Sequence, residues 1–134
     1  MIKITVPGKP VSKLRPRFVR RGKFVGTYNP QETEEGRFLF EIQRQWKNTP
    51  LEGPIKLEVL FFMPIPKGTS KKKEIRMVAE EIKHTKKPDC DNLIKFVKDC
   101  LNQVVWKDDS QVYKIVAEKR YSQHPRTDIL IEES

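Results

Sequence analysis

The run Ile55-Lys56-Leu57-Glu58-Val59-Leu60-Phe61-Phe62-Met63 constrains the fold more than any other stretch of this sequence. Ile55, Leu57, Val59, Phe61 and Met63 fall at every second position, with Lys56 and Glu58 between them, and Pro64 and Pro66 end the run. That period belongs to a β-strand with one buried face. Such a face must be covered, and the sequence offers helices to do it. After Asn29-Pro30, which reads as a cap and first-turn proline, Phe38, Ile42 and Trp46 recur at helical spacing until Asn48-Thr49-Pro50 stops the pattern. From Asp91 onward, Leu93, Phe96, Val97, Cys100, Leu101 and Val104 share one helical face, while Asp91, Lys95, Lys98, Asp99 and Asn102 share the other. A shorter helix is predicted within Ser70–Ile82.

Further strands are predicted at Ile2–Val6, at Arg17–Arg20 and Lys23–Thr27 around an Arg21-Gly22-Lys23 turn, at Gln111–Tyr121 and at Asp128–Glu132. Neither a repeat nor a biased linker divides the chain. The expectation is an α+β (mixed α/β) fold over residues 1–134 as a single domain, with two or three helices on a small, largely antiparallel sheet. Trp46 and Trp106 are read as core anchors, and neither His84 nor His124 is expected to be catalytic.

Composition narrows the class. The longest apolar run, Val59–Met63, is far below the roughly 20 residues of a membrane helix, so no membrane role is expected. The N-terminus alternates rather than forming the apolar block of a secretory signal. Cys90 and Cys100 are too few for a disulfide framework. These features predict a cytoplasmic, reduced protein.

The net charge of +9 is segregated. Residues 1–30 hold eight basic side chains and no acid, and residues 67–90 hold eight basic against four acidic. Segregated positive charge suggests a polyanionic partner, with nucleic acid first because each phosphate neutralised by Lys or Arg releases counterions. Lys13, Arg15, Arg17, Arg20, Arg21, Lys71, Lys72 and Lys73 are the predicted DNA contacts. Phe18, Phe24 and Tyr28, interleaved with the arginines, are candidates either for DNA contact or for packing.

The remaining acids are grouped as Asp89-Cys90-Asp91 and Asp108-Asp109. Pro88 favours an extended backbone before it, so Asp89 and Asp91 can face one point, and Lys95 lies one helical turn beyond Asp91. A returning strand could bring Asp109 to the same place. Convergent carboxylates repel one another, and a hard divalent cation such as Mg²⁺ resolves the repulsion while keeping sites open for phosphate oxygens. At a phosphodiester, such an ion polarises the phosphoryl oxygen and activates water, and Lys95 adds positive charge where the transition state develops negative charge. The competing reading is that Asp89 and Asp91 cap a helix, Asp108-Asp109 make a turn, and the chain is a non-catalytic nucleic-acid-binding protein.

The run Lys87-Pro88-Asp89-Cys90-Asp91-Asn92-Leu93-Ile94-Lys95, continuing through Asp99-Cys100-Leu101-Asn102 to Val105-Trp106-Lys107-Asp108-Asp109-Ser110-Gln111-Val112, strongly resembles the RusA family of Holliday junction resolvases. Its pattern is Asp-X-Asp-Asn-Leu-X-Lys, Asp-X-Leu, then Trp-X-Asp-Asp-X-Gln-Val. Pro7-Gly8-Lys9-Pro10, Lys13 and Arg15-Pro16-Arg17 also look like members of this family, so the resemblance spans nearly the whole chain. It implies a homodimeric endonuclease, dependent on Mg²⁺ with Mn²⁺ as a substitute ion, that nicks four-way DNA junctions symmetrically. By motif position it implies Asp89, Asp91 and Asp109 as essential metal-binding carboxylates, Lys95 as catalytic lysine, and Asp108 as a further metal contributor.

Overall fold

The computed structural model describes residues 1–14, 17–21, 24–28 and 32–134. Its elements run β1 (Ile2–Pro7), β2 (Arg17–Arg21), β3 (Phe24–Tyr28), α1 (Glu32–Gln45), β4 (Ile55–Pro64), α2 (Lys71–Val78), α3 (Cys90–Leu101), β5 (Val112–Ser122) and β6 (Arg126–Glu133). A single 3₁₀ turn, Asp109–Gln111, precedes β5. The predicted cap at Asn29-Pro30, and the Gly22-Lys23 part of the predicted turn, lie outside the described residues.

β4 does what its alternation predicts. It buries every second residue and lies inside a four-stranded sheet of order β1-β6-β4-β5. β6 is antiparallel to both β1 and β4, whereas β5 runs parallel to β4. A parallel neighbour needs a crossover connection, and α2 and α3 supply it between β4 and β5. β2 and β3 form a separate antiparallel hairpin. The result is the expected α+β architecture: three helices with a mixed, mostly antiparallel sheet.

The core lies on one face of the sheet. Ile4 and Val6 of β1, Leu57, Val59 and Phe61 of β4, and Ile129 and Ile131 of β6 meet Phe38 and Ile42 of α1 and Leu93, Phe96, Val97 and Leu101 of α3. Phe38 and Phe96 stack edge to face at 5.1 Å between ring centroids, which fixes α1 against α3. Removing either ring from this packing costs about 3–5 kcal/mol. Trp46 and Trp106 are buried, as expected. α2 lies beside the far half of β5, where Glu80 pairs with Arg120 at 3.2 Å and Glu74 accepts a bond from Gln123 at 2.8 Å. His84, read from sequence as a residue in polar surroundings, packs its ring 4.8 Å from that of Tyr121, because the chain after α2 folds back over β5. Among the described residues, no helix is long and apolar enough to cross a membrane.

Candidate active site

α3 begins at Cys90, so its N-cap is Asp89, an extended residue with φ −71° and ψ 147°. Asp91 is then the second helical residue, and Lys95 follows it by one turn. Asp89 therefore ends the extended segment and Asp91 lies in the first helical turn, so both stand at a helix N-terminus. The helix dipole favours negative charge there by about 0.3–1 kcal/mol per carboxylate. Asp89, however, makes no side-chain capping bond. Asp89, Asp91 and Lys95 are all exposed.

Two attachments hold this end of α3. From β5, Lys119 donates from Nζ to the carbonyl oxygens of Lys86 at 2.8 Å and Pro88 at 3.0 Å, which fixes the backbone entering Asp89. From the N-terminal segment, the Lys13 backbone N–H donates to the Asn92 carbonyl at 3.0 Å. The Lys13 ammonium, expected at DNA, sits between Asp99 at 3.0 Å and Glu35 at 3.6 Å, tying the segment to α3 and α1. Its hydrogen bond to Asp99 holds its pKa above the ordinary lysine value. Burial pushes the Cys90 thiol up, so this residue between the two aspartates is not a ready nucleophile.

Threading the N-terminal segment past α3 opens a cleft of about 740 Å³ lined by Lys9, Pro10, Arg37, Lys87 and Pro88, next to Asp89. Gly8 makes the turn into it with φ +99°, and a Cβ there would meet the Arg37 guanidinium at 3.1 Å. Arg37 donates to the Pro7 carbonyl at 2.7 Å, holding that turn against α1. Gly8, Lys9 and Pro10 of the Pro7-Gly8-Lys9-Pro10 motif thus form one wall of a cleft whose lining, with Lys9, Arg37 and Lys87 against Glu34, reaches as far as Pro88, the residue before Asp89.

The second acid pair is elsewhere. Asp108 closes a capping box, accepting from the Ser110 N–H at 2.9 Å while Gln111 accepts from the Asp108 N–H at 2.8 Å. Hydrogen bonding from the Ser110 side chain, and then from its backbone N–H, holds the Asp108 carboxyl below its ordinary pKa. Asp109 accepts from Trp106 Nε1 at 2.9 Å. Gln111 anchors the whole turn by donating to the carbonyls of Leu51 and Gly53. This turn follows the C-terminal end of α3 and enters β5 at Val112, whereas Asp89 sits beside Lys119, seven residues further along the strand. The twelve residues of α3 separate the two ends by roughly 18 Å. Within one chain the strand does not return Asp109 to Asp89 and Asp91, and among the described residues no three potential ligands gather for a metal. Asp89 and Asp91 alone still suit Mg²⁺, which commonly takes one or two carboxylates and fills its other positions with water and phosphate oxygens.

Lys71, Lys72 and Lys73 form the first turn of α2 and are exposed. Arg17, Arg20 and Arg21 lie on β2. Arg15 lies outside the described residues, as do the side chains of those three arginines. Lys119, Lys9 and Arg37 are site features that the sequence reading missed. A lysine inside an alternating strand looks solvent-directed, and nothing local shows that Lys119 reaches a loop more than 30 residues earlier in the chain.

The placement of a bipartite motif on one helix and the turn that follows it agrees with comparison to known proteins, where residues 7–132 match the endodeoxyribonuclease RusA family. The chain belongs to the RusA family. A Bacillus subtilis (strain 168) relative, the uncharacterized protein YqaN, is 38% identical over 137 aligned positions that cover 98% of this chain and 96% of the relative. RusA membership makes this chain an endodeoxyribonuclease at family level, of the Holliday junction resolvase kind, in a family that generally depends on divalent metal.

Proposed function

We propose that this chain is a Mg²⁺-dependent nuclease, with Mn²⁺ as a substitute ion, that resolves four-way DNA junctions by paired cuts in recombination and repair in the cytoplasm. The observation that carries the reading is the pair of exposed aspartates, Asp89 and Asp91, at the N-terminus of α3, with Asp89 making no capping bond and a cleft lined by Lys9, Arg37 and Lys87 reaching the residue before it. Asp89 and Asp91 would hold the ion, which when bound supplies Lewis acidity at the scissile phosphate and lowers the pKa of water. Lys95, one turn along the same helix, presents an ammonium toward the oxygen that gains negative charge as the bond breaks. Lys9 and Lys87 line the cleft that would take the strand. Arg15, Arg17, Arg20 and Arg21, with Lys71, Lys72 and Lys73, add the backbone contacts that hold a branched substrate.

The enzyme acts as a homodimer. Junction resolution needs two cuts related by near two-fold symmetry, and two copies of one site provide them. A second copy also offers what one chain lacks: its Asp109 can complete the set begun by Asp89 and Asp91. Asp108, by contrast, is accounted for by its capping bonds.

The test is cleavage of a synthetic four-way junction beside linear duplex and forked DNA. Nicks in opposing strands, dependent on Mg²⁺ or Mn²⁺ and abolished by Asp91→Asn while binding persists, are expected. Junction binding with no cleavage under either ion would make the chain a binding protein with structural aspartates.

A further inference from the structure

α2 leaves one of its sides in water. Met77 is buried against the body of the fold, but Lys71, Ile75 and Val78, at helical spacing, share a different side. Ile75 and Val78 are 68% and 48% exposed. Together with Lys71, Glu74, Ala79 and Gln123 they line a cleft of about 550 Å³. A second cleft of about 480 Å³, whose lining includes Pro64, Ile65, Pro66 and Lys67, meets the first at Glu74 and Gln123. Those two side chains share a 2.8 Å hydrogen bond. The clefts make one trough, with apolar groups in both halves and the Glu74–Gln123 bond between them. Scattered apolar residues are ordinary on a protein surface, whereas a group of them lining a concave one marks a binding site.

Charge selects the occupant. Residues 67–79 hold five basic side chains and one acid. Arg76 is taken up by Glu81 at 3.3 Å, while Lys67 and Lys71, one in each cleft, make no ion pair among the described residues. A phosphate backbone would use these lysines but gain nothing from covering Ile75 and Val78. A wholly apolar segment would cover the valine and isoleucine but leave the lysines unmatched. We propose that the trough binds an extended acidic segment of another protein, with apolar side chains seated on Ile75 and Val78 and carboxylates paired with Lys67 and Lys71. Successive residues of an extended chain face opposite ways, so apolar residues alternating with acids present one set to the trough and the other to its rim. Each lysine can lay its stem along the apolar groups and keep its ammonium at that rim.

The trough shares no lining residue with the cleft beside Asp89, so a docked segment does not compete with whatever that cleft holds. Neither Lys72 nor Lys73 lines the trough, which leaves both for phosphate. The proposal stands independently of the endonuclease reading, because it needs only the surface of α2 and the loop before it.

The experiment measures binding of a fluorescein-labelled peptide of alternating aspartate and leucine to the full chain by fluorescence anisotropy. Affinity should fall about tenfold or more when the aspartates become asparagine, and again when the leucines become serine. On the protein side, Ile75→Gln/Val78→Gln and, separately, Lys71→Glu should each cause a loss of that size. Glutamine suits an exposed helix, and circular dichroism establishes that each variant is folded. Ile75→Gln/Val78→Gln should leave the affinity for a four-way DNA junction unchanged. Absence of peptide binding, or binding that ignores Ile75→Gln/Val78→Gln, overturns the proposal. An equal loss of junction affinity in that variant also overturns it and assigns the trough to DNA. A change in sedimentation of the variant without peptide overturns it too, by assigning the trough to a second copy of the chain.

Discussion

The two acid pairs at opposite ends of α3 look alike in sequence and are treated differently by the fold. Asp89 stands at an N-cap yet leaves its carboxylate unbonded, and Asp91 beside it is exposed. Asp108 also stands at an N-cap, but spends its carboxylate on the Ser110 N–H inside a closed capping box, and Asp109 holds the Trp106 indole. A free cap carboxylate gives up about 1 kcal/mol of local stabilisation that a bonded one would supply. The difference separates the open carboxylates of Asp89 and Asp91 from that of Asp108, which is committed to its cap, and leaves Asp109 between them with Oδ1 on the Trp106 indole.

Several substitutions test that division. The largest effect belongs to the first pair: Asp89→Asn and Asp91→Asn should each lower junction cleavage by at least about a thousandfold in single-turnover assays. Neither should destabilise the fold by more than the roughly 0.3–1 kcal/mol of the helix-dipole interaction, because Asp89 makes no capping bond and both residues are exposed. A clear loss of stability in these variants would make them structural. Asp109→Asn should also stop cleavage, but mixing it with Asp89→Asn should restore activity to a fraction of the dimers, since one intact site can be assembled from the two chains. No recovery on mixing would place all three carboxylates in the service of a single chain.

Lys119→Met comes next. Losing the two carbonyl contacts that set the backbone ahead of Asp89 should reduce cleavage about 10- to 100-fold and raise the Mg²⁺ concentration needed for half-maximal rate, with junction binding less affected. An equal loss of binding would make Lys119 a phosphate contact. At the other end of the helix, Asp108→Ala should lower the midpoint of chemical denaturation slightly and change cleavage only a few-fold, because what it loses is a helix cap. A collapse of cleavage at unchanged stability would return Asp108 to the metal.

How much of this was legible beforehand follows from how local each cause is. The alternation in β4 and the apolar face of α3 are periodic over many residues, and both elements lie where that period puts them. Lys95 one turn from Asp91 needed only the helix. The position of Asp109 relative to Asp89 depended instead on which way β5 runs, a property of sheet topology that no window of sequence carries. Lys13 shows the same limit from the other side. In sequence it belongs to a basic run, yet Asp99 and Glu35, more than 80 and 20 residues away respectively, claim its ammonium. The charge of a residue can be read from sequence; its partner depends on the fold.

The smallest effect is a titration that reports the same division. His84 has its pKa held below 6.5 by burial first and by the nearby Lys119 ammonium second. The unfolded chain therefore binds a proton at His84 more readily than the folded one, so this contribution to stability is present above pH 6.5 and is lost as pH falls below it. His84→Gln should flatten the decline of stability in that window, measured by denaturant midpoints across pH. Lys119→Met should shift the His84 ring titration upward in NMR spectra, because one of its two depressing causes is gone. Asp108→Ala, at the far end of α3, should leave that titration where it is. If the two substitutions move the His84 resonance equally, Lys119 does not belong to the Asp89 end of the helix alone, and the two acid pairs are coupled through the chain rather than separated by it.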